Sequence, residues 1–294
     1  MKTEGREKDR IRETVRERYG KIAASGEAGC GCGPSPSSCC GSFDPDALAR
    51  NLGYSGTDLG ALPEGANLGL SCGNPAALAS LKPGETVLDL GSGGGFDVFI
   101  AARKVGRSGR AIGVDMTPEM IARARRNADG FRKRSGLDNV EFRLGEIEHL
   151  PAADSSADVV ISNCVINLSP DKPQVWREMA RVLRPGGRVA VSDLALLKPL
   201  PPAVRKSVDA LVGCIAGAAR VRDIERAARA AGLVDVRLEP KAGSLDAMVN
   251  RQSRLYRSVL KALPRGATLA DYATSLSITA RKPGHTRKMK TREK

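Results

Sequence analysis

Seven cysteines, Cys30, Cys32, Cys39, Cys40, Cys72, Cys164 and Cys214, are the residues of this 294-residue chain best suited to chemistry. The count is odd, and the N-terminus, MKTEGREKDR, lacks the apolar segment of a secretory signal. Both facts argue against a structural disulfide framework, so the thiols are expected reduced. Cys164 stands in ISNCVINLSPD, at the carboxyl end of a strand-like run, the edge where open α/β sheets bind ligands. Cys214, in VGCIAGA, belongs to a segment expected to cap that edge, and Cys72, in NLGLSCGNP, to a loop able to fold over its mouth. Three thiols far apart in sequence can thus converge on one pocket. They suit a soft, thiophilic centre such as trivalent arsenic, which prefers sulfur to oxygen or imidazole. Three sulfurs fill its three bonds and leave a lone pair, a nucleophile that carries no proton. No general base is then needed, in keeping with only two histidines, His149 and His285. The remaining four cysteines read C-x-C-x6-C-C, unlike the paired C-x2-C of zinc ribbons. For them zinc chelation, arsenite capture and no role at all stay open.

A second constellation lies upstream of Cys164. The run TVLDL ends in Asp89-Leu90 and enters Gly91-Ser92-Gly93-Gly94-Gly95, followed at once by the helical pattern FDVFIAARKVG. Glycines let a backbone turn sharply and lay its N–H groups against a ligand. The next strand-like run, RAIGVD, ends at Asp115, about 20 residues further on, where a carboxylate can accept both hydroxyls of a ribose. Dinucleotides and S-adenosylmethionine both fit that spacing. Asp89 discriminates: its charge disfavours a pyrophosphate and welcomes the ammonium of a methyl donor.

The elements that must position these groups can be read from periodicity. Strand-like runs TVLDL, RAIGVD, VEFRL, ADVVISN and GRVAVSD alternate with helical patterns such as EMIARARRNADGFRKRSG and QVWREMARVLRPGG. Such alternation favours a parallel sheet with helices on both faces. Residues 2–21 predict an amphipathic helical arm with Ile11, Val15 and Ile22 as packing points, and residues 24–75 read as loop. VDALVGCIAGAA, RDIERAARAAGL and 243–263 predict helices, VDVRLE and SLSITARK strands. The expected division is an N-terminal arm and Cys-rich loop (1–75), a core (76–195), a cap with completing strands (196–280) and a basic disordered tail (281–294). The arginines and lysine Arg123, Arg125, Arg126, Arg132, Lys133 and Arg134 read as a solvated helix face, His149 as a turn residue and Trp176 as packing.

Composition excludes several classes. Aromatic residues are 3% of the chain, too few for a base-stacking nucleic-acid surface. Of the net charge of +14, residues 1–21 carry +3 and 281–294 carry +6, which localises the basicity to the ends. No apolar run reaches the roughly 20 residues of a membrane helix. A soluble, cytoplasmic protein without nucleic-acid or membrane partners is expected.

The motifs LDLGSGGGFD, GVDMT, RLGEIEHLP and LRPGGRVAVSD resemble those of class I S-adenosylmethionine-dependent methyltransferases, with a Rossmann-like α/β sheet. The resemblance implies that Gly91, Gly93 and Gly95 contact the methionine part of the donor and Asp115 its ribose. It places Met116, Glu146 and Ile147 around the adenine and Asn163 toward the methyl. More closely, NLGLSCGNP, GVDMTPEMIARA, ISNCVINLSPDK and GCIAGA are similar to arsenite methyltransferases of the prokaryotic type. That resemblance implies arsenite or its thiol conjugate as substrate and catalytic roles for Cys72, Cys164 and Cys214, the last two holding the arsenic, with Cys72 available as a third ligand. It implies a disulfide that forms between Cys72 and an N-terminal cysteine as the cycle proceeds, with Cys40 marginally preferred to Cys39, and a thiol reductant such as glutathione or thioredoxin. Methylation of another small metabolite, and a non-catalytic metalloid or zinc sensor, are the alternatives.

Overall fold

The computed structural model describes residues 2–25, 44–205, 214–241 and 254–284. Helix α1 spans Lys2–Ser25, and three short helices follow: α2 (Pro45–Asn51), α3 (Gly56–Leu59) and α4 (Pro75–Leu78). Strand β1 (Thr86–Leu90), α5 (Phe96–Val105), β2 (Arg110–Asp115), α6 (Pro118–Ser135) and β3 (Val140–Leu144) build one half of the sheet. The other half comes from β4 (Ala157–Asn163), α7 (Lys172–Val182) and β5 (Leu183–Leu196). Beyond these lie α8 (Pro202–Arg205), β6 (Ala219–Arg220), α9 (Val221–Ala230), β7 (Val234–Lys241), α10 (Arg254–Ala262) and β8 (Ala273–Arg281).

The strand order is β3-β2-β1-β4-β5-β8-β7, with β6 pairing β5 beside that path. Strands β1 to β5 pair in parallel; β8 runs antiparallel between β5 and β7. The central strands are apolar without alternation because both faces are covered. Successive side chains nevertheless point to opposite layers. Val87, Val159 and Ile161 join Phe99, Phe131 and Phe142 on one face. Leu88, Leu90 and Val160 join Trp176, Met179 and Ile278 on the other. A third cluster, with Val15, Leu168, Leu194, Cys214, Ile215 and Tyr272, ties α1 to the sheet's carboxyl edge.

Several expectations need correction. The stretch 24–75 contains α2 and α3, capped by the Asp44 and Ser55 side chains. Residues 214–218 form turns rather than helix, leading into β6, and 206–213 lie outside the described residues. Of 243–263, helix is described at Arg254–Ala262. The helical pattern through LRPGG stops at Val182, where β5 begins. Nor is the basic face of α6 simply solvated. Arg123 donates to the backbone carbonyls of Gly65 and Ala23, Arg125 to that of Phe142 and Arg134 to that of Leu62, so α6 fastens α1 and the following loops. No described helix is long and apolar enough to cross a membrane.

Candidate active site

The glycine loop turns at the carboxyl end of β1, its Gly91 and Ser92 N–H groups bonded to the Val114 carbonyl at 2.8 and 3.0 Å. Gly91 has φ +71°, and a Cβ there would lie 2.5 Å from Val165, the neighbour of Cys164. Gly93 donates its N–H to Asp115 Oδ2 at 2.9 Å, while Thr117 N–H reaches Oδ1 at 2.9 Å. The Thr117 side chain and the Met116 N–H also bond this carboxylate, which lines the cavity. Gly95 behaves differently from the expectation. It does not line the cavity; a Cβ there would meet Phe99 at 2.6 Å and Phe142 at 2.9 Å, so glycine is required by packing.

The loop borders a cavity of about 1010 Å³ including its open mouth, lined by Asp89, Asp97, Asp115, Met116, Ile147, Asn163 and Cys164 among others. Asp89, Asp97 and Asp115 are an unusual lining. Burial, together with the charges of Asp97 and Asp115, holds the Asp89 carboxyl well above its usual range. Burial pushes Asp97 up to about 6 against hydrogen bonds from Asn163 and Tyr54. Asp115 is raised by the same cause, less so because backbone N–H groups stabilise its charge. Three crowded carboxylates favour a cationic occupant and oppose a pyrophosphate. Glu146, expected beside the adenine, instead faces α1, paired with Arg12 at 3.3 Å and Arg16 at 3.4 Å. The polar cavity wall on that side is Glu148.

The thiols meet at the same edge. Cys72 and Cys164 are joined in a disulfide, which corrects the expectation that the chain's thiols are all reduced; the pairing of Cys72 with Cys40 during the cycle falls on a residue outside the described ones. The odd count said nothing of proximity, and the Asn163 amide bridges the two chain segments. Cys40, with Cys30, Cys32 and Cys39, lies outside the described residues. Cys214 is buried, its Sγ 3.0 Å from the Cys164 carbonyl and hydrogen-bonded to the Tyr19 hydroxyl. Burial and the Asp193 charge raise its thiol far above the ordinary value. A carboxylate oxygen of buried Asp193 lies within 4.8 Å of the Cys72 and Cys164 sulfurs. Cys164 and Cys214 both have positive φ, +56° and +61°, a conformation uncommon for non-glycine residues.

Periodicity missed the roof. Arg12, Val15 and Tyr19, spaced three and four along α1, all line the cavity, so the arm covers the site. Ion pairs hold it there: Lys8 to Asp171 at 2.9 Å and Arg12 to Glu146 and Glu148. Asp97 and Tyr54 were missed too, although Asp97 in GGGFD opens α5 beside the loop.

A family model described as a methyltransferase domain matches residues 81–257. An arsenite methyltransferase of Halobacterium salinarum is 46% identical over 282 residues, covering 95% of this chain and 68% of that protein. One of Aquipseudomonas alcaligenes is 46% identical over 162 residues, 54% of this chain and 47% of its own length. The human arsenite methyltransferase is 38% identical over 52% of this chain and 42% of its own. The chain thus spans less than half of these last two relatives. Among solved structures, an arsenic(III) S-adenosylmethionine methyltransferase from Chlamydomonas reinhardtii superposes with a TM-score of 0.58 and 36% identity, over 82% of this chain and 74% of that one. With the methyltransferase domain matched over residues 81–257 and 95% of its length aligned to the Halobacterium relative, the chain belongs to the class I methyltransferases, within the arsenite methyltransferase family.

Proposed function

We propose that this chain transfers the methyl group of S-adenosylmethionine to trivalent arsenic held by its own thiolates. The observation that carries it is that Cys164, bonded to Cys72 and with the Cys214 Sγ 3.0 Å from its carbonyl, lines the same cavity as the glycine loop and its buried carboxylates. The cradle fits the donor: three buried carboxylates answer its ammonium and sulfonium charges, and Asp115 is placed for the ribose. When bound, the donor supplies an electrophilic methyl on a sulfonium. Met116 and Ile147 offer the apolar walls for the adenine, and α1 excludes water from above. Cys164 and Cys214 hold the arsenic, with Cys72 as third ligand. The lone pair of arsenic held there is the nucleophile that would accept the donor's methyl.

The disulfide defines what must happen first. Opening it consumes two reductant thiols, which become a disulfide while Cys72 and Cys164 return to thiols; glutathione or a thioredoxin-type dithiol is the matching class. Cys72 is fully buried and Cys164 lines the cavity, so the attacking thiolate meets the Cys164 sulfur and Cys72 leaves. Incubation of the chain with labelled S-adenosylmethionine, arsenite and glutathione is expected to give labelled methylarsenicals. Donor binding with no methylarsenical would defeat the proposal and favour another small-metabolite acceptor.

The buried acids add a second expectation. A cation beside Asp97 favours its ionised form, so donor binding near pH 6 releases protons, and donor affinity climbs as pH rises through about 6. Titration calorimetry of S-adenosylhomocysteine at pH 6, in two buffers of different ionisation enthalpy, should give different heats. Equal heats would mean that these carboxylates do not answer the ammonium.

A further inference from the structure

One side chain joins the two halves of the site. Asn163, the last residue of β4, accepts the Cys72 N–H on Oδ1 at 2.9 Å. That donor fixes which end of the amide is which, because a backbone N–H needs an acceptor. Its Nδ2 therefore faces the other way, 3.0 Å from Asp97 Oδ2 and 3.0 Å from the Gly73 carbonyl. The Tyr54 hydroxyl, 2.7 Å from Asp97 Oδ1, supplies the second donor to that carboxylate. The amide nitrogen thus serves Asp97, Gly73 and, at 3.1 Å, the Tyr54 oxygen, and the amide oxygen serves Cys72. Asn163 holds the Cys72–Gly73 backbone from both sides while resting on a carboxylate of the donor cradle.

We infer that Asn163 couples occupancy of the methyl-donor cradle to capture of the metalloid, as a positioning residue that locks the Cys72 backbone when Asp97 is held by a cation. This rests on the functional assignment above. A ligand ammonium keeps Asp97 an acceptor, Asp97 keeps the amide oriented, and the oriented amide keeps Cys72 in register with Cys164. Linkage makes the effect mutual: arsenite tightens donor binding by the same factor. Asn167 provides the contrast. It bonds Asp193 at 2.8 Å and accepts the Ala219 N–H at 3.2 Å, bracing the Cys214 turn without touching the cradle carboxylates.

The test is the arsenite affinity of the full chain, reduced with a phosphine so that no small thiol competes, with and without saturating S-adenosylhomocysteine. Wild type is expected to bind arsenite at least about five-fold more tightly when the nucleoside is present. Asn163→Leu keeps the side chain's size and loses both the acceptor for Cys72 and the donors to Asp97 and Gly73. Its ratio should fall to within about two-fold of unity while both ligands still bind, and Asn163→Ala should do the same. Asn167→Ala should weaken arsenite binding yet keep the wild-type ratio, which a general loosening of the pocket would not do. A wild-type ratio of one, or a full ratio retained in both Asn163 variants, overturns the coupling and leaves the methyltransferase assignment intact. Wild type that binds the nucleoside and no arsenite overturns both.

Discussion

Cys164→Ser should cut methylarsenical formation by about a thousand-fold or more while S-adenosylhomocysteine binding stays within about three-fold of wild type. Serine is close in size, so the turn that follows β4 can keep its shape, but its hard oxygen is a poor ligand for a soft metalloid. The position is also one partner of the disulfide that closes a 92-residue separation. Loss of that cross-link should lower the stability of the oxidised protein by about 4.6 kcal/mol on the chain-entropy account, and leave the reduced protein nearly unaffected. Methyl transfer in the presence of glutathione, and urea unfolding with and without reductant, read the two effects separately. Substantial methylarsenical from the serine variant would remove Cys164 from the chemistry. Equal loss of stability in both redox states would point to packing rather than the cross-link.

The largest effect on folding is expected from Gly95→Ala. Its φ of +96° disfavours any side chain, and the new methyl would collide with the Phe99 and Phe142 rings at the centre of one core layer. Left-handed strain of about 1–2 kcal/mol and overpacking of about 1–3 kcal/mol together predict a loss of about 2–5 kcal/mol. Gly53, with φ +91° and nothing within 4 Å of its Cβ position, isolates the first contribution. Its alanine variant should lose only about 1–2 kcal/mol in the same urea titration. Matching losses at both sites would show that the ring contacts do not decide the cost.

Gly95 also shows where sequence reasoning stops. Glycine at the end of a strand-to-helix loop was readable as a conformational need, but its purpose was assigned to ligand contact. The cause is two rings, Phe99 one turn on in α5 and Phe142 47 positions away in β3, and local pattern carries no information on the second or on how closely either will approach. The same boundary separates the rest. Alternating apolar runs made the sheet legible, since burial on two faces imposes a composition. Asp115 was legible because crossover length fixes its spacing from the loop. Val15 was legible as a buried position of α1, whereas what α1 covers was not, because periodicity defines a face and not its partner. Tyr54 and Asp97 escaped for the converse reason: each is unremarkable locally and gains meaning only from the other. The bond between Cys72 and Cys164 depends on the Asn163 amide and on β5 beside β4, neither of which a cysteine count contains.

The strand that completes the sheet has a consequence in time. Ser275 on β8 donates to the Cys72 carbonyl at 2.9 Å across 203 positions of chain, and β8 is inserted between β5 and β7 after both have been made. At roughly 5–20 residues per second, a ribosome takes on the order of 10–40 s to travel from one partner to the other. Once Cys214 has been made, the growing polypeptide carries its glycine loop and all seven cysteines while the loop of Cys72 still lacks its final tether. A nascent chain is thus most open to capture of stray thiophiles before it can process them, and fragments ending before residue 273 should inherit the reactive sulfurs without the means to order them.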